Sequence, residues 1–526
     1  RWIKKRIKFM KLLKFLFFSI FLILLGCSKN QKNILSNISK PNILIIYLDD
    51  LGYGDVSAYN KGKIQTPNID KLANNGLKFT NGYSSSATCS PSRYALLTGK
   101  YPWRNPNAKI ITGGSLIIDT TEVTLPKVLN SNGYYSGIVG KWHLGLGNTK
   151  INYNSLISPG PNQVGFNYSY IMADTQDRVP CVYIENGKVV NLDDDDPIEV
   201  NFAVNSNFDD YNLPTGLNNP ELTNMKWHHG HNGSIINGVP RIGYMKGGEN
   251  ALWSDIDMAD HFLKKANEFL EENKENNFFL FYSLQQPHVP RTPHPRFEGL
   301  SGMGPRGDVI LEADWCIGQI YKTLEKLDLL KNTLIILSSD NGPVLNDGYY
   351  DNAVELLGDH DPFGGLRGGK YSLFEAGTKV PFIAYWKNTI QSGVSNEIIS
   401  QIDLLSSISS IVGDKFRSKD GQDLSNLILN NHGNGRKELI IEATTRTAFR
   451  SGDWVMIPPY NGVPVNKNVN IELGNSNEYK LFNIKNDPSQ RVNLIKVNNI
   501  QLQKMIKRYK SIIGDDMNSP EKLILE

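Results

Sequence analysis

The chain has 526 residues, 40% hydrophobic and 21% charged, a length that predicts one large domain with a smaller one and a composition without a low-complexity tract. The formal net charge of +3 misleads, because Arg1, Lys4, Lys5, Arg6, Lys8, Lys11 and Lys14 open the chain without an acid and leave the remainder at −4. A mildly acidic body has no electrostatic footprint for nucleic acid, so that class of partner is set aside.

The first segment reads as a targeting leader. A basic stretch precedes the apolar run Phe15–Leu25, followed by Gly26-Cys27-Ser28, the layout of a secretory signal. Leu24-Leu25-Gly26-Cys27 resembles the bacterial lipobox, in which Cys27 is lipidated and becomes the new N-terminus. The alternative is a single membrane anchor, for which the run is short. Met10 offers an alternative start that would leave Arg1–Phe9 outside the protein. Residues 28–40, rich in Asn, Ser and Lys, read as a tether. Cys89, Cys181 and Cys316 then remain, with Cys181 and Cys316 either paired or free.

From residue 41 onward, apolar runs alternate with amphipathic stretches, which predicts an α/β sheet sandwiched by helices. Ile43–Leu48 ends in Asp49-Asp50. Cys89-Ser-Pro-Ser-Arg93 opens a helix, with Pro91 in its first turn, Arg93 one turn after Cys89, and Gly99 at its end. Tyr135–Gly140 runs into Lys141-Trp-His143, where an extended backbone would point Lys141 and His143 the same way. Phe278–Ser283 is soon followed by His288, and Thr333–Ser339 ends in Asp340-Asn341-Gly342. Lys370 lies in the glycine-rich Arg367-Gly-Gly-Lys-Tyr-Ser loop. A final helix is predicted near Leu502–Ile513.

Sites in open α/β sheets form beyond the carboxyl ends of strands, so these polar endings predict one shared site. Asp49, Asp50, Asp340 and Asn341 offer hard oxygen ligands, and converging carboxylates call for a divalent cation, Ca²⁺ or less favourably Mg²⁺. Taken singly, an Asp-Asp pair or an Asp-Asn-Gly turn reads first as a capping or turn device, and it is their coincidence at two strand ends that points to a metal. Arg93, Lys141 and Lys370 suit a cationic cradle for a tetrahedral oxyanion.

In this arrangement the sequence resembles the type I, formylglycine-dependent sulfatases of the alkaline phosphatase superfamily. The matching pieces are Pro41–Asp55, Thr66–Ala73, Cys89–Gly99, Gly140–Gly145, Gln286–Pro290, Ser339–Gly342 and Gly368–Ser372, with Glu478–Ser489 similar to the family's small C-terminal subdomain. The resemblance implies a large, mainly parallel sheet in a catalytic domain over 41–435 and an α+β subdomain over 436–526. It implies that Cys89 becomes formylglycine (3-oxoalanine), whose hydrate attacks sulfur and releases sulfate by re-forming the carbonyl. Asp49, Asp50, Asp340, Asn341 and residue 89 would bind calcium. Arg93 and His143 would orient and activate the diol, Lys141 and Lys370 would hold sulfate oxygens, and His288 would protonate the leaving alcohol.

One departure is Thr175, the nearest match to a serine that in many relatives contacts the diol or sulfate, a role its hydroxyl could take over. His229, His231 and His360 lie in long loops and read as contacts to sugar hydroxyls or carboxylates, or as ordinary loop histidines. Asp193–Asp196 reads most simply as a solvated turn, with a second cation site as the alternative.

The expected activity is hydrolysis of sulfate esters on a polysaccharide, a marine algal glycan such as ulvan or carrageenan, or a glycosaminoglycan. Alternatives are a phosphatase or phosphonate hydrolase of the same superfamily, or a non-catalytic glycan-binding lipoprotein. Implied partners are a formylglycine-generating or other sulfatase-maturing enzyme and the outer membrane through the lipid anchor. A soluble periplasmic form is the alternative location.

Overall fold

The computed structural model describes residues 40–203 and 213–514, together with Trp2. Apart from Trp2, the leader over 1–27 with its lipidation site at Cys27, and residues 28–39 of the tether, lie outside the described residues. Among the described residues no helix is long and apolar enough to cross a membrane.

One compact unit begins at Asn42. Its frame is a ten-stranded sheet. In chain order the strands are β1 (Asn42–Leu48), β2 (Leu77–Tyr83), β3 (Tyr135–Lys141), β4 (Tyr168–Met172), β5 (Tyr183–Glu185), β6 (Lys188–Val189), β7 (Phe278–Ser283), β8 (Thr333–Ser339), β9 (Phe382–Tyr385) and β10 (Gly393–Ser400). Their spatial order is β10-β2-β9-β8-β1-β7-β3-β4-β5-β6. The central run β8-β1-β7-β3-β4 is parallel throughout. The flanks are mixed: β9 and β5 pair antiparallel with their neighbours. Continuous apolar sequences form these central strands because both faces are covered.

Alternation along β7 shows the two layers. Tyr282 interacts with Cys316 of α5 (Gly304–Lys326). Its neighbour Ser283 accepts from Arg93 of α2 (Cys89–Thr98) on the opposite face. Helices α1 (Pro67–Asn75) and α4 (Met258–Glu272) pack with α5. Helices α3 (Leu125–Ser131) and α6 (Leu404–Ile411) pack with α2.

Helix α2 follows Thr88, whose backbone is extended, and stops where Gly99 takes φ 61° and its N–H reaches the Ala95 carbonyl. All its residues are buried, including Arg93. A helix covered on every side has no polar stripe, so this one announces itself by its ends.

A second sheet joins β11 (Glu438–Ala443), β12 (Arg446–Ser451), β13 (Trp454–Ile457) and β14 (Lys480–Asn483) as an antiparallel meander. Helix α7 (Asn499–Ile513) covers it. Leu439, Phe449, Met505 and Tyr509 of this part share one apolar core with Tyr83, Ala87, Ala95 and Tyr101. The small sheet is thus packed directly against the segment that leads into α2.

Candidate active site

Strand register brings the polar endings to one level. Leu48 pairs with Ser339 and Tyr47 with Ser283, while Gly140 also pairs with Ser283. Asp49, Asp340 and Lys141 therefore emerge side by side, and α2 sets Cys89 above them.

Ligand atoms of Asp49, Asp50, Cys89 and Asp340 lie within 4.8 Å of one another. Cys89 Sγ is 3.5 Å from Asp49 Oδ1. The Asp50 amide donates to Asp340 Oδ1 at 3.2 Å, and φ of Asp50 is 63°. Asn341 Nδ2 donates to Asp50 Oδ1 at 2.7 Å, leaving its own Oδ1 buried without a partner. Burial and the adjacent Asp340 charge push the Asp49 carboxyl up to about 8. Burial also raises Asp50, against the Lys370 ammonium. Burial works against the Asp340 carboxylate too, but Arg93 and Lys141 outweigh it and hold that group below its usual range. Converging carboxylates with one orphaned amide oxygen are a donor set that fits a hard divalent cation.

The cations divide into two layers. Arg93 donates to Asp340 Oδ2 through Nε at 3.0 Å and Nη2 at 2.7 Å, and Nη1 serves Ser283 Oγ at 2.6 Å and the Lys141 carbonyl at 3.2 Å. Lys141 Nζ donates to Asp49 and lies 4.0 Å from Asp340. Both cations are beneath the cleft rather than in its lining. Of the three cations assigned to the oxyanion cradle from sequence, only Lys370 reaches the wall. Burial explains these pairings: a charge cut off from water pairs with the nearest opposite one.

The cleft, about 90 Å³, is lined by Cys89, His143, His288 and Lys370, with His229 and His231 opposite. Lys370 Nζ donates to Asp50 Oδ2 at 2.9 Å and Asp347 Oδ2 at 2.8 Å. His143 is not on an extended segment: its φ is 53°, so the expectation that it parallels Lys141 fails. Its Nε2 bonds the Ile111 carbonyl at 2.9 Å. Since a carbonyl only accepts, Nε2 carries the proton, and buried Nδ1 has no partner. The same argument at His288, whose Nδ1 meets the Val289 carbonyl at 2.7 Å, leaves Nε2 bare, 3.9 Å from Asp50 Oδ2. Burial, then the lysine charges, hold both imidazoles well below their usual pKa.

His231 Nε2 bonds Asp177 Oδ2 at 2.9 Å. Thr175, expected near the diol or sulfate, instead shares its hydroxyl with Asp177 and Arg178, which do line the cleft. For His360 the contacts favour the second of its two readings, an ordinary loop histidine. It lies buried against Asp55 at 3.0 Å, an acid already paired with Arg306, and so supports the loop after β1 rather than facing substrate. Asp193–Asp196 forms a turn whose carboxylates take backbone N–H groups and Asn250, outside any candidate metal cluster among the described residues. Cys181 and Cys316 are free and buried.

Asp177, Arg178 and Asp347 escaped the sequence reading. A signal existed for the first two: they follow β4, another parallel strand, by the same strand-end rule. Asp347 sits in a loop with no periodicity.

A protein-family model described as Sulfatase matches residues 41–413. An N-acetylgalactosamine-6-O-sulfatase of Bacteroides thetaiotaomicron is 46% identical over 481 residues, spanning 90% of this chain and 93% of that protein. Bovine arylsulfatase A is 32% identical over 405 residues, covering 75% of this chain and 69% of its own length. A solved structure from work on metabolism of multiple glycosaminoglycans by Bacteroides thetaiotaomicron superposes with TM-score 0.88 at 44% identity, covering 90% of this chain and 99% of that one.

Proposed function

The chain belongs to the sulfatase family, and we propose that it removes the 6-O-sulfate from N-acetylgalactosamine units of a glycosaminoglycan. The observation that carries this substrate is the 46% identity, over nearly the whole of both chains, to a sulfatase of that specificity. The buried cluster beneath Cys89 supports the chemistry.

In this reading Cys89 is converted to formylglycine, which as its hydrate supplies an oxygen nucleophile able to expel sulfate again by re-forming a carbonyl. Asp49, Asp50, Asp340, Asn341 and residue 89 hold Ca²⁺, which supplies charge compensation for the carboxylates and for the anion.

The protein's own groups do the rest. His143 Nδ1, a bare acceptor on the cleft wall, takes a hydrogen bond from a hydroxyl on residue 89. Arg93 locks Asp340, and Lys141 locks Asp49, so the floor stays fixed. Lys370 faces the sulfate oxygens. His288 acts at the leaving oxygen through Nε2, and because that atom is bare in the neutral ring, the imidazole must be protonated in the substrate complex to donate. His229, His231 and the Asp177–Arg178 pair meet the sugar ring. Export through the residue 1–27 leader, lipidation at Cys27 and maturation by a formylglycine-generating or other sulfatase-maturing enzyme belong to the same proposal, with the enzyme displayed on the outer membrane for polysaccharide degradation.

Sulfate release measured over a panel of oligosaccharides tests the substrate. The panel contains N-acetylgalactosamine carrying sulfate at O4 or O6, N-acetylglucosamine-6-sulfate, and carrageenan and ulvan fragments. Release from the O6-sulfated galactosamine sugars at least about tenfold faster than from the others, a modest hydroxyl-reading preference, is expected; preference for an algal fragment would overturn it.

A further inference from the structure

The β11–β12 hairpin turns through Thr444 and Thr445, between paired Ala443 and Arg446. Both threonines have positive φ, 49° and 68°. Two-residue hairpins with positive φ at both positions favour Asn-Gly. A β-branched residue there is a true outlier, held against its own backbone preference. Such strain persists only where neighbouring contacts over-determine it.

Those contacts lead to the cleft on two sides. Glu442 pairs in β-bridge fashion with Ser86, and the Glu442 carbonyl accepts the Ala87 amide at 2.8 Å, two residues before Cys89. The Ala87 carbonyl accepts the Tyr371 amide at 2.8 Å, one residue after Lys370. The Tyr371 carbonyl accepts Arg446 Nη2 at 2.8 Å, which closes the ring back at the hairpin. Tyr371 itself has φ 71°, a second strained position.

Arg446 is buried at 4% exposure. Its remaining N–H groups go to the Leu473 carbonyl, the Asn475 side-chain oxygen and Thr444 Oγ1. Among the described residues no carboxylate lies within ion-pair distance of it, and the Glu442 charge acts on it only from farther off. A guanidinium buried on neutral acceptors is costly for stability alone. Its geometry instead fixes two peptide carbonyls, those of Leu473 and Tyr371.

We propose that Thr444 and Arg446 are positioning residues: the strained hairpin is a clamp that sets the distance between the nucleophile position at residue 89 and the Lys370 ammonium. The inference rests on the reading of Lys370 as a sulfate-facing group. Thr444 Oγ1 orients the guanidinium, the guanidinium holds the Tyr371 peptide, and the shared Ala87 carbonyl ties that peptide to the start of α2.

Steady-state kinetics of sulfate release on the full, matured protein test it with four variants: Lys370→Met, Arg446→Met, Arg446→Lys and Thr444→Gly. We expect Arg446→Met to lower kcat by about 100-fold, the scale of a misplaced catalytic group, with KM changed far less. Arg446→Lys should recover part of the loss. Thr444→Gly separates clamping from folding, since it relieves the positive φ while deleting the hydroxyl: the melting temperature should hold or rise while kcat falls. It also decides the matter if Arg446→Met does not fold. Faster hydrogen exchange at the Tyr371 amide should accompany both losses. Lys370→Met inactive with Thr444→Gly and Arg446→Met at wild-type kcat overturns the clamp alone. A fully active Lys370→Met overturns the reading of the site and the clamp with it.

Discussion

Arg93 Nε and Nη2 both donate to a single carboxylate oxygen of Asp340, at 3.0 and 2.7 Å, with neither side chain exposed. A helix one turn past its start is thereby locked to the tip of β8. Replacing Arg93 by Leu strands the Asp340 charge in the interior, and loss of one partner of such a pair costs about 3–5 kcal/mol. Urea unfolding at neutral pH should show that loss. Arg93→Lys keeps the charge but not the fork, so it should fall between the two. A wild-type midpoint for Arg93→Leu would show that Asp340 finds its compensation elsewhere.

Residue 89 can be weighed directly. Conversion of the thiol to an aldehyde lowers the mass of the peptide containing Cys89 by about 18 Da, an oxidation that lies outside the ordinary thiol ladder. Mass spectrometry of active protein from a host that matures sulfatases should find the lighter form, and Cys89→Ala should fold yet release no sulfate. Full activity with only the unmodified thiol present would falsify the formylglycine assignment.

The oxygen cluster predicts a cation-dependent melting temperature. A ligand held at 100 times its Kd stabilises the folded state by about 2.7 kcal/mol. Calcium added after chelation should raise the melting temperature, magnesium less so, because a set of carboxylate oxygens with an amide oxygen suits the larger ion. Asp340→Ala should abolish the response. An equal response in that variant would place the ion elsewhere.

Glu442 predicts a pH effect on stability. Burial raises its carboxyl from an ordinary 4.5 to about 7, against the Ser86 hydroxyl and the Thr445 amide that favour the charge. A folded-state pKa above the unfolded one means the contribution is complete below about 4.5 and is lost as pH rises through about 7. The amount is on the order of 3 kcal/mol. Glu442→Gln cannot ionise, so its melting temperature should decline less than that of wild type between pH 5 and 8. Parallel curves would mean that Glu442 titrates normally.

His288 predicts a dependence on the leaving group. If it protonates the departing alkoxide, His288→Ala should cost about 10²–10⁴-fold on sugar sulfates. The cost should be much smaller on nitrophenyl sulfate, whose phenolate leaves unaided. Equal losses on both substrates would assign His288 to binding.

Much of this was legible in the sequence because it is locally encoded. An apolar run followed by Asp49-Asp50 or Asp340-Asn341 is a strand with its ligands at the tip, and Pro91 and Gly99 mark both ends of α2 whatever surrounds it. The similarity of these pieces to sulfatases supplied the chemistry that spacing alone leaves open. Only the tertiary structure decided which side chains share the cleft. Parallel register set Asp49, Asp340 and Lys141 at one height, and loss of water then forced Arg93 and Lys141 onto those carboxylates beneath the wall. Loop residues carry no periodicity, so Asp347 and the Thr444–Arg446 hairpin emerged, and His360 withdrew to Asp55, only once the chain was folded. Sequence determines which groups are available and where a strand or helix ends; pairing of buried charges across the fold determines which of them remain free to meet a substrate.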